Sequence, residues 1–362
     1  MAAIFWDYGT AYDFFISLFV LHHQDRFGLR AQWAAGVRSR LPGEQRLFLE
    51  ETIEFLPVPL TFIFNLPEDG KTAAGALKYL GDIPPESRLL RLMNRTNLTP
   101  AVQSVVETLS GQQEATAEQL EMLKEYYQYR PVPIKTKEIQ KLAEACMQPA
   151  IFGEKLQQAF ETYYQVFFAE EEERIRPLLK EGLQNAQALA QELALPQLLE
   201  ELSHGVSYQS IDRLRRVNLV PSYWSTPLVF MNNLAEDEML MIFGCRPDTQ
   251  NLVPGEYVPE VLINTMKVLS DSTRLRILRY LNQSPDSPSG LARKLRLRAP
   301  TVVHHLNKLR LAGLVQVIIS QQGDRQYALR KEALRTVMAN LQVFLETSEL
   351  DDPVMDGDSN DV

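Results

Sequence analysis

Two adjacent histidines, His304 and His305, sit in the middle of "RLRAPTVVHHLNKLRLAGLV", residues 296–315, in a chain that has five. Imidazole can ligate a metal, carry a proton, or donate to and accept from the edge of a base or a phosphate. Other residue groups also invite a chemical reading. "GKT", residues 70–72, follows the strand-like "LTFIFNL" and precedes "AAGALKYL", the strand, loop and helix order of a phosphate loop. That motif's first glycine falls on Asn65, however, and Glu68 and Asp69 repel phosphate, so no nucleotide site is expected. His22 and His23 lack a third ligand at helical spacing and read as an amphipathic or core-edge pair. Cys146 and Cys245 lie far apart and form no CxxC, so they read as small buried hydrophobes and not as a disulfide or thiolate zinc site. No Ser/His/Asp or paired-carboxylate arrangement stands out, and no catalytic residue, metal site or cofactor is assigned.

The elements that position these groups follow from composition and pattern. With 362 residues, 45% of them hydrophobic, the chain can hold two buried cores. The apolar run at 14–21 is too short to span a bilayer and follows Asp7 and Asp13 instead of a basic flank, so a cytoplasmic protein with no membrane anchor is expected. The net charge of −9 is unevenly spread: residues 260–335 hold 14 Lys+Arg and 5 Asp+Glu, a local +9, which leaves −18 for the rest. A basic module therefore sits inside an acidic protein.

From residue 12 to about 202 apolar residues recur at helical spacing, as in Tyr12, Phe15 and Phe19 or Phe160, Tyr163 and Phe167. Glu170–Glu173 reads as a solvated face, with Pro177 starting or kinking a helix. Near 217–246, "VNLVPS", "PLVFMNN" and "EMLMIFGC" suggest a short antiparallel sheet closing the first domain. The expected fold is mainly α with small β elements. A helical domain over 1–250 carries the effector or dimerisation role, a linker lies in "RPDTQNLVPGEY", a second domain spans 256–346, and an acidic disordered tail fills 347–362.

In the second domain the local signals fall in one order. "VPEVLINTMKVL" is an amphipathic helix, and Asp271 or Ser272 caps the next, "TRLRILRYL", with Leu275, Leu278 and Leu281 as its buried stripe. After "NQSPDSPS" comes the short helix "GLARKLRL", then a helix over 300–312 with Pro300 in its first turn and Gly313 as its left-handed stop. "LVQVIIS" and "RQYALR" form a hairpin, the 315–329 wing, with Gly323 in its turn, and "KEALRTVMANLQVFLE" carries Leu334, Val337, Leu341 and Phe344 on one stripe. This is the layout of a winged helix-turn-helix.

The text "LSDSTRLRILRYL…GLARKLRLRAPTVVHHLNKLRLAGLV…GDRQYALR" resembles the arsenical-resistance repressor (ArsR) family of bacterial transcription factors over residues 261–335, about a fifth of the chain. The resemblance implies a homodimer on double-stranded DNA, with the last helix pairing against the 258–269 helix across the dimer axis. By alignment on "GLARKL", the cysteines of one familial metal site fall at about Ser287 and Ser289, and the final helix has no histidine for the other. Metal sensing by either route is therefore not expected.

Helix geometry divides the two histidines. Val302, Leu306, Leu309 and Gly313 define the buried face, with His305 near it as a structural, hydrogen-bonded residue. His304 lies about 100° round, with Thr301 and Lys308, on the face that can enter a major groove. Arg296, Arg298, Lys308 and Arg310 are expected on phosphates and Arg325, at the wing tip, in a neighbouring minor groove. Ala299, Pro300, Thr301, Val303, His304 and Asn307 complete the expected DNA-binding set. Val303 stands where the family usually has serine and Ala299 where a polar residue is common, so base reading leans on thymine methyls or is weak. The function expected is a sequence-specific transcriptional regulator whose first domain senses a small molecule or protein partner, or holds the dimer. The competing reading is a winged-helix protein-interaction module, without DNA binding, attached to a ligand-binding domain. An enzyme in residues 1–250 has no motif behind it.

Overall fold

The computed structural model describes residues 2–27, 29, 31–93, 97–128, 133–208, 211–247, 259–320 and 324–346. Strand β1 (Ala3–Trp6) is followed by helices α1 (Thr10–His22), α2 (Ala31–Arg40), α3 (Gly43–Phe55), α4 (Leu60–Phe64), α5 (Ala73–Gly81), α6 (Pro85–Leu92), α7 (Pro100–Thr108), α8 (Ala117–Glu125), α9 (Thr136–Met147), α10 (Pro149–Tyr163), α11 (Ala169–Glu192) and α12 (Leu195–Leu202). Strands β2 (Val206–Tyr208), β3 (Arg216–Ser222), β4 (Phe230–Ala235) and β5 (Glu238–Gly244) come next. The chain is mainly helical with small sheets, and most of the proposed linker and the whole acidic tail lie outside the described residues.

The first sheet has the order β1-β3-β5-β4, and its pairing corrects the antiparallel expectation: β1 with β3 and β3 with β5 are parallel, and β4 alone runs antiparallel, on the edge of β5. The reason was visible in the residues. β3 is buried from Val217 to Ser222 and β5 from Met239 to Phe243, without the alternation of a sheet that faces water on one side. One side of this sheet meets Leu198, Leu199 and Leu202 of α12, and Val220, Leu240 and Ile242 join the large helical core on the other.

That core is built on α1 and α10. Phe14 meets Phe15, Phe160 and Phe168 edge to face, and Trp33 stacks on the fully buried Trp224 at 4.8 Å between centroids. Two further expectations are corrected here. "LTFIF" is the helix α4 and not a strand, because tertiary burial of Leu60, Thr61, Phe62 and Ile63 outweighs their β propensity. Glu171 and Glu172 are buried and not solvated: Glu171 takes a two-pronged ion pair from Arg174, and Glu172 accepts from the Thr10 hydroxyl and the Ala73 N–H. Pro177 sits inside α11, which continues past it.

The C-terminal elements are α13 (Glu260–Leu269), α14 (Ser272–Leu281), α15 (Pro288–Leu295), α16 (Ala299–Leu311), β6 (Val315–Ile319), β7 (Arg325–Leu329) and α17 (Lys331–Glu346). Ile277, Leu278, Leu281, Leu291, Leu295, Val302, Leu306, Leu309, Leu314 and Tyr327 form their shared core. Leu275 is not part of it and is half exposed, because α14 turns Arg274 inward instead. The Arg274 guanidinium donates to the last carbonyls of α13, at Val268 and Lys267, and so ties the two helices together. No residue of α17 is fully buried: Leu334 and Val337 pack on the core, while Met338, Val343 and Leu345 are exposed.

Candidate nucleic-acid interface

The helix-turn-helix is fixed by three local devices. Ser287 caps α15 by accepting from the Gly290 N–H, and Pro288 occupies the first turn. The helix then ends on Arg296 in the left-handed conformation, φ 58° and ψ 44°, with the Leu297 N–H reaching back to the Ala292 carbonyl. A non-glycine residue there costs about 1 kcal/mol, and its cap geometry turns the chain into α16. α16 begins with Pro300 in its first turn and runs to Leu311, and Gly313 follows at φ 67°, the left-handed stop read from the sequence.

α16 is sharply two-sided. Val302, Leu306 and Leu309 have no exposed area, whereas Ala299, Pro300, Thr301, Val303, His304, Asn307 and Lys308 face solvent. Arg296 and Arg298 are exposed at its N-terminal end and Arg310 is half-buried at its C-terminal end. The eleven proposed contact residues are thus brought together except for Arg325, which is exposed at the start of β7 beside the wing turn; 321–323, with Gly323, lie outside the described residues. His305 departs from its expectation in one respect. It is largely buried, but its Nδ1 has no hydrogen-bond partner among the described residues and stands 3.9 Å from Asp271 Oδ1. Burial lowers its pKa below the ordinary histidine value, only partly opposed by the Asp271 carboxylate. Asp271 is engaged as the cap of α14, accepting from the Arg274 N–H at 2.9 Å.

The other chemical candidates resolve into structure. Lys71 of "GKT" points at Asp7 Oδ2, 2.6 Å away, and donates to the Phe64 carbonyl, while the Glu172 carboxylate occupies the N-terminus of α5, where a phosphate would sit. His22 and His23 each donate from Nδ1 to the carbonyl four residues back, Leu18 and Phe19. Cys146 is buried, with its thiol pushed up to about 12 by desolvation, and Cys245 is shifted in the same direction. Tyr163, Tyr223 and Trp224 are closed core residues.

Two features escaped the sequence reading. Strand β2, from the N-terminal part of the chain, pairs in parallel with β6, so the wing belongs to a three-stranded sheet of order β2-β6-β7. Arg330, just after β7, donates from its guanidinium to the Gly313 carbonyl at 3.2 Å and brings Nη2 to 3.9 Å from Glu201 Oε2, at the end of α12. A β-rich segment, "GVSY", was the available signal for β2, but a pairing 111 residues distant in register leaves no local trace.

Residues 271–317 match the family model described as "Bacterial regulatory protein, arsR family". The C-terminal module is therefore an ArsR-type helix-turn-helix, and that family is regulatory, not enzymatic. The match spans α14 through most of β6 and leaves the N-terminal helices outside it. No curated protein and no solved structure matches the chain.

Proposed function

We propose that this protein is a sequence-specific transcriptional regulator that binds double-stranded DNA as a homodimer, laying α16 in a major groove and the β6–β7 wing against the neighbouring minor groove. The observation that carries the reading is the two-sidedness of α16: a fully buried aliphatic face is opposed by a solvent face of Thr301, Val303, His304, Asn307 and Lys308, with Arg296 and Arg298 at its start. Thr301 and His304 meet base edges, Val303 meets thymine methyls, Arg296, Arg298, Lys308 and Arg310 neutralise phosphates, and Arg325 on the wing reaches the minor groove. Residues 1–250 form the input domain, joined to the wing through β2, 256–346 the DNA-binding domain, and the input is a small molecule or protein partner instead of a metal.

The test is binding of the full-length protein to a random duplex across a salt series, followed by selection of preferred sites. The reading expects affinity that falls steeply with salt. Lys308→Ala and Arg298→Ala should each lower the slope by about one and weaken all sequences alike, whereas Thr301→Ala and His304→Ala should change preference at particular base pairs. Four folded variants with wild-type affinity and selectivity would leave the competing reading, a protein-interaction module.

A further inference from the structure

The free edge of a two-stranded wing is ordinarily open to water. Here it carries β2, with Val206 opposite Val317, Ser207 opposite Ile318 and Tyr208 opposite Ile319, and the Val317 N–H donates to the Gly205 carbonyl at 2.8 Å. β2 is not loose on its own side. It follows α12 through a turn fastened by Ser203, whose hydroxyl accepts from the Val206 N–H, and α12 is packed by Leu198, Leu199 and Leu202 against β3 and β5. The first sheet and α12 are thus in continuous contact with β6 as far as Ile319, the last residue of that strand.

Arg330 carries the same contact to the recognition helix. Its backbone N–H donates to the Leu314 carbonyl and its guanidinium to that of Gly313, the two residues that follow the C-cap of α16. Its stem lies so close to Gly205, at φ 100°, that a Cβ on that glycine would fall 2.7 Å from Arg330 Cδ and 3.0 Å from Gln316 Cβ. Glu201 approaches the same guanidinium from α12. One side chain thus touches the end of the recognition helix on one side and the α12–β2 turn on the other. Among the described residues the join consists of a strand of three paired residues and an ion pair whose carboxylate is exposed, the kind of short contact that opens at lower cost than a domain core.

We propose that β2 and Arg330 form the link through which the N-terminal domain sets DNA affinity, with Arg330 a positioning residue that holds the end of α16 according to whether β2 is docked on β6. The inference rests on the reading of the C-terminal module as a DNA binder. It requires no second site on the DNA-binding face, because docking and undocking act on the geometry of the helix and wing together.

The experiment uses the full-length protein and two substitutions that leave every residue of the DNA-binding module untouched. Ser207→Pro removes an N–H from the middle of β2, and Gly205→Ala drives a methyl into Arg330. Amide exchange at Val317 and Ile319 reports the pairing, and anisotropy of a labelled duplex selected by the wild type reports affinity. The expected result is exchange at least tenfold faster at those amides together with a change of at least fivefold in Kd. Faster exchange with Kd within twofold of wild type would overturn the link and leave the DNA-binding reading standing; unchanged exchange in both variants would also overturn it, since the pairing would then not control these amides. Failure of the wild type to bind any duplex would overturn both. Should either strand variant lose the near-ultraviolet signal of the stacked Trp33 and Trp224, Arg330→Gln, which keeps a donor near Gly313 and loses the charge facing Glu201, is judged by the same Kd criterion.

Discussion

Asp13 Oδ1 accepts from the Ser222 hydroxyl at 2.8 Å, fastening the first helix to the end of β3, while its Oδ2 is buried with no partner among the described residues. The Trp224 N–H adds a second bond to Oδ1 at 2.8 Å. Burial dominates and raises the carboxyl from 3.8 to about 7, against the lowering effect of those two donors.

The consequence is a stability that falls as pH rises. In the unfolded chain Asp13 ionises near 3.8, so between about 4 and 7 the folded state binds one more proton than the unfolded state. Its contribution is complete below the unfolded value and lost as pH rises through the folded one, a change of about 4 kcal/mol by the shift alone. Asp13→Asn mimics the protonated form and keeps the oxygen that accepts from Ser222. Melting temperatures at pH 5 and pH 8 should show the variant gaining on the wild type at the higher pH. An equal difference at both values would contradict this account.

Arg296 gives a prediction in which stability and function move in opposite directions. Its left-handed backbone is relieved by glycine, so Arg296→Gly should stabilise the C-terminal module by about 1 kcal/mol. The same change removes an exposed guanidinium at the start of α16 and should lower the salt slope of DNA binding by about one. Denaturant unfolding and a salt series on one preparation measure both. Loss of stability would show that the guanidinium, and not the turn, sets the residue at this position.

The signals that made α16 legible are all local: Pro300 in the first turn, aliphatic residues at Val302, Leu306 and Leu309, and Gly313 as the stop. Asp271 is a cap of the same kind, whereas Ser287, which caps α15, reads from sequence as part of the preceding loop. What could not be read depended on partners brought in from outside the element itself or on a residue's choice between solvent and a buried partner. Glu171 and Glu172 belong to a run of four glutamates that looks solvated until Arg174, Thr10 and the start of α5 are placed around them. Leu275 is exposed because its neighbour Arg274 has the carbonyls of α13 to cap. The direction of β3 and the docking of β2 are set by pairing across more than a hundred residues or through a neighbouring strand, where periodicity carries no information on order.

The outer half of α17 bears on the proposed dimer. Leu341 and Phe344 are only half-buried, and Met338, Val343 and Leu345 are exposed on a 16-residue helix that contacts α13. Twofold pairing through α13 and α17 would cover this stripe and place two copies of α16 about 34–36 Å apart on successive major grooves. Leu341→Asp with Phe344→Asp should give a folded monomer with much weaker DNA binding. Sedimentation at micromolar concentration checks it, and a wild type that sediments as a monomer there removes the dimer from the proposal.

Ser287, which stands where the resemblance puts a cysteine ligand, is committed to the cap of α15, and its hydroxyl lies 3.1 Å from that of Ser289. A capping hydroxyl is a weak donor for the soft cations that thiolate sites select, and removing it from Gly290 would cost the helix about 1 kcal/mol. The final helix, Lys331–Glu346, offers carboxylates at Glu332 and Glu346 but no imidazole. DNA affinity of the full-length protein should therefore stay within twofold on addition of equimolar Zn²⁺, Cd²⁺ or arsenite. Titrating each into the protein–DNA complex decides the matter. Tenfold release by one equivalent would place a metal site in this chain and would transfer the input from the N-terminal domain to the DNA-binding module itself.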